Sequence, residues 1–177
     1  MANYVYIGVS LDGYIADRNN GLDWLNTVPN PHNEDLGFAA FMERVDALVM
    51  GRNTFETVVG FGGEWPYSKP VFVCSRTLKD IPVQLKDKVF LIQGSPKEIM
   101  GSLNRKGYEN LYIDGGRTIQ GFLKADLIDE LILSTIPVLL GGGTSLFGDL
   151  PEHQVYELIS SEVLLNQIVS SRYVRRS

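Results

Sequence analysis

The sequence predicts an α/β fold in which one mostly parallel sheet is covered by helices on both faces. Short β-rich apolar runs alternate with helical patterns along most of the chain, as strand–helix–strand units do. The last two runs follow each other without a helix, which favours an antiparallel edge. Because no repeat, low-complexity segment or linker interrupts the 177 residues, we expect one domain over residues 1–177.

The predicted strands are apolar runs bounded by turn formers. They are Tyr4–Ser10, Ala47–Met50, Val71–Cys74, Val89–Gln93, Asn110–Ile113, Leu131–Ile136, Val155–Ser160 and Ile168–Val174. The predicted helices are Glu34–Val45, one that begins near Thr54, one that follows Ser95 and runs to about Lys106, and Arg117–Lys124. Ser95, Pro96 and Glu98 give the clearest helix start, with an N-cap, a first-turn proline and a capping-box partner. Asn53 and Glu56 have the same capping-box spacing.

Composition narrows the classes of function. The formal net charge of −5 gives no electrostatic footprint for nucleic acid or an anionic membrane. Cys74 is the single cysteine, and His32 and His153 have no partner at ligand spacing, so neither a disulfide framework nor a metal site is expected. The N-terminus lacks a signal-peptide pattern and no apolar stretch approaches the ~20 residues of a membrane span, so we expect a cytoplasmic protein.

The segment after Met50 is a candidate anion site. Gly51, Arg52 and Thr54 lead from a predicted strand into a predicted helix, whose free N–H groups and dipole favour negative charge. Such loops lie at the carboxyl ends of the strands, where α/β sheets bind ligands. Taken alone, the segment is more simply an ordinary strand–turn–helix with a surface arginine.

A second polar loop follows the strand that ends at Cys74. Ser75, Arg76 and Thr77 offer two hydroxyls and a planar guanidinium to a phosphomonoester. Taken singly, this segment is also more simply a polar surface loop. Cys74 itself is most simply a small buried apolar residue.

The third candidate is the turn "DGGRTIQGFL" that begins at Asp114. It lacks the spacing of the common dinucleotide fingerprint. Gly115 and Gly116 would still let a pyrophosphate approach the backbone, and the residues after them would supply helix-start N–H groups. The alternative, that the glycines serve only a tight turn, is equally compatible with the sequence.

The long loop over residues 17–33 and the helix predicted after it have a different character. On that helix, Asp35 shares a stripe with Phe38, Ala39 and Met42, and a carboxylate on an apolar stripe would have a raised pKa, which suits a proton donor. The alternative is a first-turn Asp that faces solvent. Trp24 and Phe38 would wall an apolar pocket for a flat ring, although Trp24 is equally suited to anchoring its loop.

Six segments, taken together and in order, resemble the dihydrofolate reductase superfamily, in the bacterial branch similar to the C-terminal reductase domain of the riboflavin-biosynthesis deaminase/reductase. They are "SLDGYIA" from Ser10, "DWL" from Asp23, "VMGRNTFE" from Val49, "VFVCSRT" from Val71, "YIDGGRTIQGFL" from Tyr112 and "DELILSTIPVLLGGGTSLF" from Asp129. The resemblance covers nearly the whole chain and implies the dihydrofolate-reductase-like three-layer α/β/α fold with NADPH as cofactor.

The resemblance also implies a role for individual residues. It implies cofactor contacts at Gly8, Ile15, Gly51, Arg52, Thr54, Ser75, Arg76, Thr77, Gly115, Gly116, Arg117, Thr118 and Ile119. The "SRT" segment matches the loop that grips the adenosine 2′-phosphate, which favours NADPH over NADH. Asp35 lies at the family's distance from Gly51 for the active-site acid, and Ser134 matches a hydroxyl that supports that acid.

These expectations lead to an NADPH-dependent reductase that transfers a hydride to a pterin, pyrimidine or ribosyl-type small molecule. The loop between Trp24 and Asp35 is longer than in folate reductases, and the basic residue that binds the glutamate tail has no clear match. A non-catalytic NADPH sensor and a structural protein of the same fold remain alternatives. The apolar C-terminal strands favour a homodimer.

Overall fold

A computed structural model describes all of residues 1–177, and ten strands and four α-helices form it. The strands are β1 (Ala2–Ser10), β2 (Tyr14–Ala16), β3 (Ala47–Gly51), β4 (Val71–Cys74), β5 (Val89–Ile92), β6 (Asn110–Asp114), β7 (Glu130–Ile136), β8 (Thr144–Ser145), β9 (Tyr156–Leu164) and β10 (Ile168–Arg175). The helices are α1 (Phe38–Met42), α2 (Arg52–Gly60), α3 (Pro96–Arg105) and α4 (Gly116–Lys124).

Eight strands form one sheet in the order β5-β4-β3-β6-β1-β7-β10-β9. The six strands from β5 to β7 are parallel, and β10 and β9 extend the sheet as an antiparallel edge. The remaining strands, β2 and β8, pair with each other outside the main sheet. The predicted α/β fold with antiparallel C-terminal strands is therefore confirmed.

Helices cover both faces of the sheet. The first face packs against Phe41 and Met42 of α1 and Phe55 of α2. The second face packs against α3 and α4 through a larger apolar cluster. Alternating strand residues supply the two clusters, as the two-residue period of a β-strand requires. The parallel order brings the carboxyl ends of β1, β3, β4 and β6 to one edge.

The start of α1 differs from the prediction. The helix begins at Phe38 instead of Glu34, because Leu36 and Gly37 have positive φ angles of 55° and 87°. Two successive residues in the left-handed region cannot continue a right-handed helix. The Asp35 carboxylate lies just before this break and accepts the N–H groups of Gly37 and Ala39.

The other helix starts divide into one confirmed and one wrong prediction. The predicted capping box at Ser95 is present, and α3 ends at Arg105 with Lys106 as its C-cap. The capping box predicted at Asn53 is wrong, because α2 starts earlier, at Arg52, with Gly51 as an N-cap that has no side chain. Glu56 instead accepts from Arg52 Nε over 2.7 Å.

An ion-pair cluster fixes the amino ends of the strands, away from the cavity described below. Glu130 is 5% exposed and receives paired hydrogen bonds from Arg44 and Arg172. These contacts hold the pKa of Glu130 below its usual range although burial opposes them. No helix of the chain is long and apolar enough to span a membrane.

Candidate functional site

A cavity of about 1060 Å³ opens at the carboxyl edge of the parallel strands. Its lining includes all three loops that the sequence singled out, those that follow β3, β4 and β6. Side chains from both faces of the sheet reach it, so the cavity crosses the edge and does not lie on one face. The position agrees with the rule that ligands of open α/β sheets bind outside the carboxyl ends of the strands.

Two glycine turns interlock at the centre of this edge. A Cβ at Gly51 would lie 3.1 Å from Thr118 Oγ1, and one at Gly115 would collide with Thr54 Oγ1. Glycine is therefore required at Gly115 to make room for Thr54, whereas at Gly51 a Cβ would be tight against Thr118. Gly115 also has a φ of 90°, which a residue with a Cβ rarely adopts.

The second glycine of the pair meets a different neighbour. A Cβ at Gly116 would lie 2.7 Å from Thr144 Cγ2 and 3.3 Å from Ile15 Cδ1. Close packing therefore accounts for both glycines of the "DGGRT" turn, and the same packing leaves their backbone open to the cavity. The glycines therefore serve a tight turn and also leave the backbone accessible from the cavity.

The starts of α2 and α4 both face the cavity, and neither has a side-chain cap. Their N-caps are Gly51 and Gly115, so the first N–H groups of each helix lack the acceptor that Ser95 supplies to α3. Free N–H groups at the positive end of the helix dipole bind anions. Arg117, Thr118 and Ile119 lie in the first turn of α4, with Ile119 fully buried beneath it.

The loop after β4 lies beside the start of α2 on the cavity lining. Arg52 Nη1 donates to Thr77 Oγ1 over 2.7 Å, so the loops after β3 and β4 are joined directly. Ser75 Oγ accepts the N–H groups of Thr77 and Leu78, which holds the turn. Arg76 is exposed and makes no hydrogen bond within the chain, so its guanidinium is available to a ligand.

Gly8 of β1 and Ile15 of β2 also line the cavity. A Cβ at Gly8 would lie 2.8 Å from Leu25 Cδ2, which means that the 17–33 loop packs closely over β1. Asp12 holds the neighbouring loops together, since its carboxylate accepts from Ser10, Leu140 and Gly141. These bonds, led by the one from Ser10, lower the pKa of Asp12 to about 2.

The first face of the sheet gives the cavity an aromatic wall. Tyr6, Phe38, Phe61, Tyr67 and Tyr112 all line it. Tyr6 packs on Phe38 with ring centres 5.7 Å apart. Two of its three tyrosine hydroxyls already make hydrogen bonds, since Tyr6 donates to the Leu36 carbonyl and Tyr112 donates to the Tyr6 carbonyl. The Tyr67 hydroxyl makes no hydrogen bond within the chain.

Asp114 is the only carboxylate on the cavity lining. Burial raises its pKa from the ordinary 3.8 to about 6, although the Gly115 N–H donates to Oδ1 and opposes the rise. The negative charge of Asp114 in turn adds to the burial that raises the pKa of Tyr67 and Tyr112. A half-buried carboxyl that titrates near neutrality suits proton transfer.

Sequence reasoning missed Asp114 as a functional residue. The available signal was its position, an ionisable residue at the end of a buried strand and directly before a glycine pair. In the sequence it read as the first residue of a turn. Only the packing of β6 between β3 and β1 shows that burial acts on its carboxyl.

The predicted raised pKa of Asp35 is wrong. The side chain is exposed, does not line the cavity and caps α1, and the N–H groups of Ala39 and Gly37 lower its pKa. The predicted support from Ser134 is also absent. Ser134 lies on β7 opposite Gly8 and makes no hydrogen bond to Asp35.

Of the two predicted pocket walls, only Phe38 reaches the cavity. Trp24 is 6% exposed and packs with Val28, Ile136 and Ile168 in a separate apolar cluster. It anchors the 17–33 loop, and its neighbours Leu22 and Leu25 line the cavity instead. A short 3₁₀ helix at Asp23–Asn26 produces this division. No group of three or more His, Cys, Asp or Glu side chains is placed to hold a metal ion.

The model of the RibD C-terminal domain family matches residues 4–170. The chain therefore belongs to this family. YwjB, an uncharacterized protein of Bacillus subtilis (strain 168), is 33% identical over 174 residues, which cover 97% of this chain and 96% of YwjB. A solved structure from Shewanella sp. PV-4, provisionally named for riboflavin biosynthesis, is 55% identical, covers both chains fully and has a TM-score of 0.96.

More distant solved structures share the fold. A deaminase/5-amino-6-(5-phosphoribosylamino)uracil reductase from Thermotoga maritima has a TM-score of 0.74 at 14% identity, over 99% of this chain and 56% of that one. A dihydrofolate reductase from Enterococcus faecalis, solved with NADP(H), has a TM-score of 0.67 at 18% identity, over 99% and 97% of the chains. The expected resemblance to the RibD reductase domain and to dihydrofolate reductase is confirmed.

Replacing Asp114 by Asn is expected to stabilise the folded protein at neutral pH. Ionising a carboxyl with a raised pKa in the folded state costs free energy that the unfolded chain does not lose, up to about 3 kcal/mol here. The gain in unfolding free energy should be absent below pH 3.8, grow as the pH rises and level off above about 6. Urea unfolding of both proteins across this range measures it, and a gain that does not vary with pH would contradict the assigned burial.

Proposed function

We propose that the protein is an NADPH-dependent reductase that transfers a hydride to a C=N or C=O bond of a heterocyclic small molecule. One observation carries the proposal: uncapped helix starts with arginines beside them and a titratable carboxyl in an aromatic wall open into the same cavity. The membership in the RibD C-terminal domain family and the shared reductase fold support it. The NADP(H) named in the Enterococcus structure supports the choice of cofactor.

The residues at the cavity edge fit a dinucleotide. The first turns of α2 and α4 would hold the phosphates through backbone N–H groups, with Thr54 and Thr118 beside them. Ser75, Arg76 and Thr77 would hold a 2′-phosphate, because Arg76 has no competing partner and Thr77 is positioned by Arg52. Gly8 and Ile15 would flank the nicotinamide. When bound, NADPH supplies the hydride.

Asp114 is the group of this chain that fits the accompanying proton transfer. Its carboxyl titrates at about pH 6, so a protonated fraction is present near neutral pH and the anion is easily restored from solvent. Tyr67 lies against Trp65, with ring centres 5.3 Å apart, and offers a hydroxyl donor to orient the ring. The 17–33 loop, anchored by Trp24, excludes water above β1.

The preference for NADPH over NADH tests the 2′-phosphate site proposed at the loop after β4. Replacing Arg76 by Ala is expected to weaken NADPH binding by about 10- to 50-fold and to leave NADH binding nearly unchanged, because the lost charge-assisted bonds involve only the 2′-phosphate. Quenching of tryptophan fluorescence measures both affinities. Lys79→Ala, an exposed cation a few residues further along the same loop, is the control. Equal affinity of the native protein for NADPH and NADH would contradict the assignment of the 2′-phosphate site.

Two Asp→Asn variants test the proton transfer. Asp114→Asn is expected to lower turnover by roughly 100-fold or more, because the amide cannot donate the proton. Asp35→Asn should change turnover by less than about threefold, since Asn also caps a helix start. The native rate should fall as the pH rises through about 6. If the Asp114→Asn variant showed the same dependence of rate on pH as the native protein, the role of Asp114 would be excluded.

A homodimer is the further part of this proposal. Strand β9 is an unpaired edge, and Leu158, Ile159 and Val163 on it are exposed. A second copy that covers these side chains would remove apolar area from water, which a lone edge strand leaves exposed. Sedimentation equilibrium should give twice the mass of the chain, and Val163→Arg should give the monomer. A monomeric native protein would contradict it.

A further inference from the structure

We propose that the substrate of this reductase carries no phosphate or carboxylate group and is a neutral or cationic ring recognised through an amide-like edge. This inference rests on the function proposed above and narrows its substrate class. It follows from the distribution of charge and of free polar groups around the cavity.

The cationic side chains of the cavity all lie at its cofactor end. The chain has 16 Lys and Arg residues, and only Arg52, Arg76 and Arg117 line the cavity. Arg52 bonds Glu56 and Thr77, Arg76 follows β4, and Arg117 is in the first turn of α4. Arg52 is already paired with Glu56, so Arg76 and Arg117 are the lining cations left for the phosphates of the dinucleotide.

On the first face, where the ring would lie, the lining carries no cation beyond Arg52 at the start of α2. The apolar side chains of this lining include Leu22, Leu25, Phe38, Val58 and Phe61. Phe61 stands at the mouth and is 67% exposed. An anionic tail placed against these side chains would lose hydration without gaining a partner, which is costly for a charged group.

Two polar groups of the wall are free to make hydrogen bonds to a bound ring. Asp114 uses Oδ1 to accept the Gly115 N–H, while Oδ2 makes no hydrogen bond within the chain. The Tyr67 hydroxyl is also free, whereas Tyr6 and Tyr112 donate to backbone carbonyls. One acceptor and one donor match a ring N–H beside a ring carbonyl, as in a lactam.

The Asp114 carboxylate also favours a neutral or cationic ring over an anionic one. Asp114 is the one carboxylate on the cavity lining, and it repels a second anion while it favours a protonated ring nitrogen. A protonated C=N bond is also the better hydride acceptor. The balanced reaction takes one hydride from NADPH to the carbon and one proton from the protonated Asp114 carboxyl to the nitrogen, giving an amine, NADP⁺ and the Asp114 carboxylate, which solvent protonates again.

The inferred substrate differs from those named for the structural relatives. The Thermotoga protein is named for a phosphoribosylamino-uracil, which ends in a phosphate. Its likeness to this chain, at 14% identity, shows the fold alone. The apolar mouth at Phe61 is the part of this chain that would set the different preference.

Paired ligands test the inference by binding. Calorimetric titration of the full chain, saturated with NADP⁺, compares 5-amino-6-ribosylaminouracil with its 5′-phosphate, and 7,8-dihydrobiopterin with 7,8-dihydrofolate. The uncharged member of at least one pair should bind about 10-fold or more tightly than its anionic partner. Tighter or equal binding of the anionic member in both pairs, or no binding of any of the four at millimolar concentration, would overturn the inference.

Two variants at the mouth locate the discrimination. Phe61→Arg adds a cation at an exposed position and is expected to tighten binding of the 5′-phosphate by about 10-fold, with the gain decreasing at high salt. Phe61→Gln, which adds polarity without charge, is the matched control and should give no such gain. A native protein that prefers the phosphate, with no gain from Phe61→Arg, would contradict the role of the mouth.

The outcome separates this inference from the proposed function. A protein that oxidises NADPH fastest with the phosphate ester remains a reductase, and the inferred substrate class is wrong. A protein that prefers the uncharged rings but never oxidises NADPH keeps the inferred selectivity, and the reductase proposal fails.

Discussion

The interlocking of two glycine turns is the constraint on which the site depends. Thr118 lies close to Gly51 and Thr54 lies against Gly115, so the carboxyl ends of β3 and β6 are packed tightly, and at Gly115 no Cβ fits. This contact brings the first turns of α2 and α4 to one point at the sheet edge, with their N–H groups open to the cavity. A side chain at Gly115 would collide with Thr54 and push the two helix starts apart, whereas one at Gly51 would require Thr118 to shift by a few tenths of an ångström.

The same arrangement divides the cavity into two chemically different halves. The sheet edge carries the arginines and the two helix starts, whereas the rest of the first-face lining is mostly aromatic and apolar side chains. Asp114 ends β6 beside the interlocked turns, where the halves meet. Its burial destabilises the folded protein increasingly as the pH rises from 3.8 to about 6, and the same burial gives a pKa suited to proton transfer. A residue selected only for stability would not be ionisable there.

Local signals in the sequence predicted the parts of the fold that local interactions determine. The strands and the Ser95 capping box are confirmed because periodicity and side-chain-to-backbone bonds act over a few residues. The start of α1 could not be predicted, because Leu36 and Gly37 adopt left-handed angles that "LG" does not signal. The position of Asp35 changed with it, from an apolar stripe to an exposed cap.

The candidate site shows a similar division. The three strand-ending loops were identifiable, since glycine, hydroxyl and arginine residues follow apolar runs. Asp114, Phe61 and Tyr67 were not, because their role arises from the chain elements that surround them. Of the two roles predicted for Trp24, the loop anchor is confirmed and the pocket wall is wrong, and the sequence could not decide between them because Ile136 and Ile168, which bury the ring, lie more than a hundred positions away.

The central claim is that this cavity joins a nicotinamide to a ring that accepts its hydride. The direct measurement uses NADPH deuterated at the transferable position, incubated with the protein and neutral lactam heterocycles, with mass spectrometry of the products. The account predicts one deuterium in the reduced ring for each NADPH oxidised. NADPH that binds at the sheet edge but transfers no deuterium to any ring would contradict it and indicate a protein that only senses the cofactor.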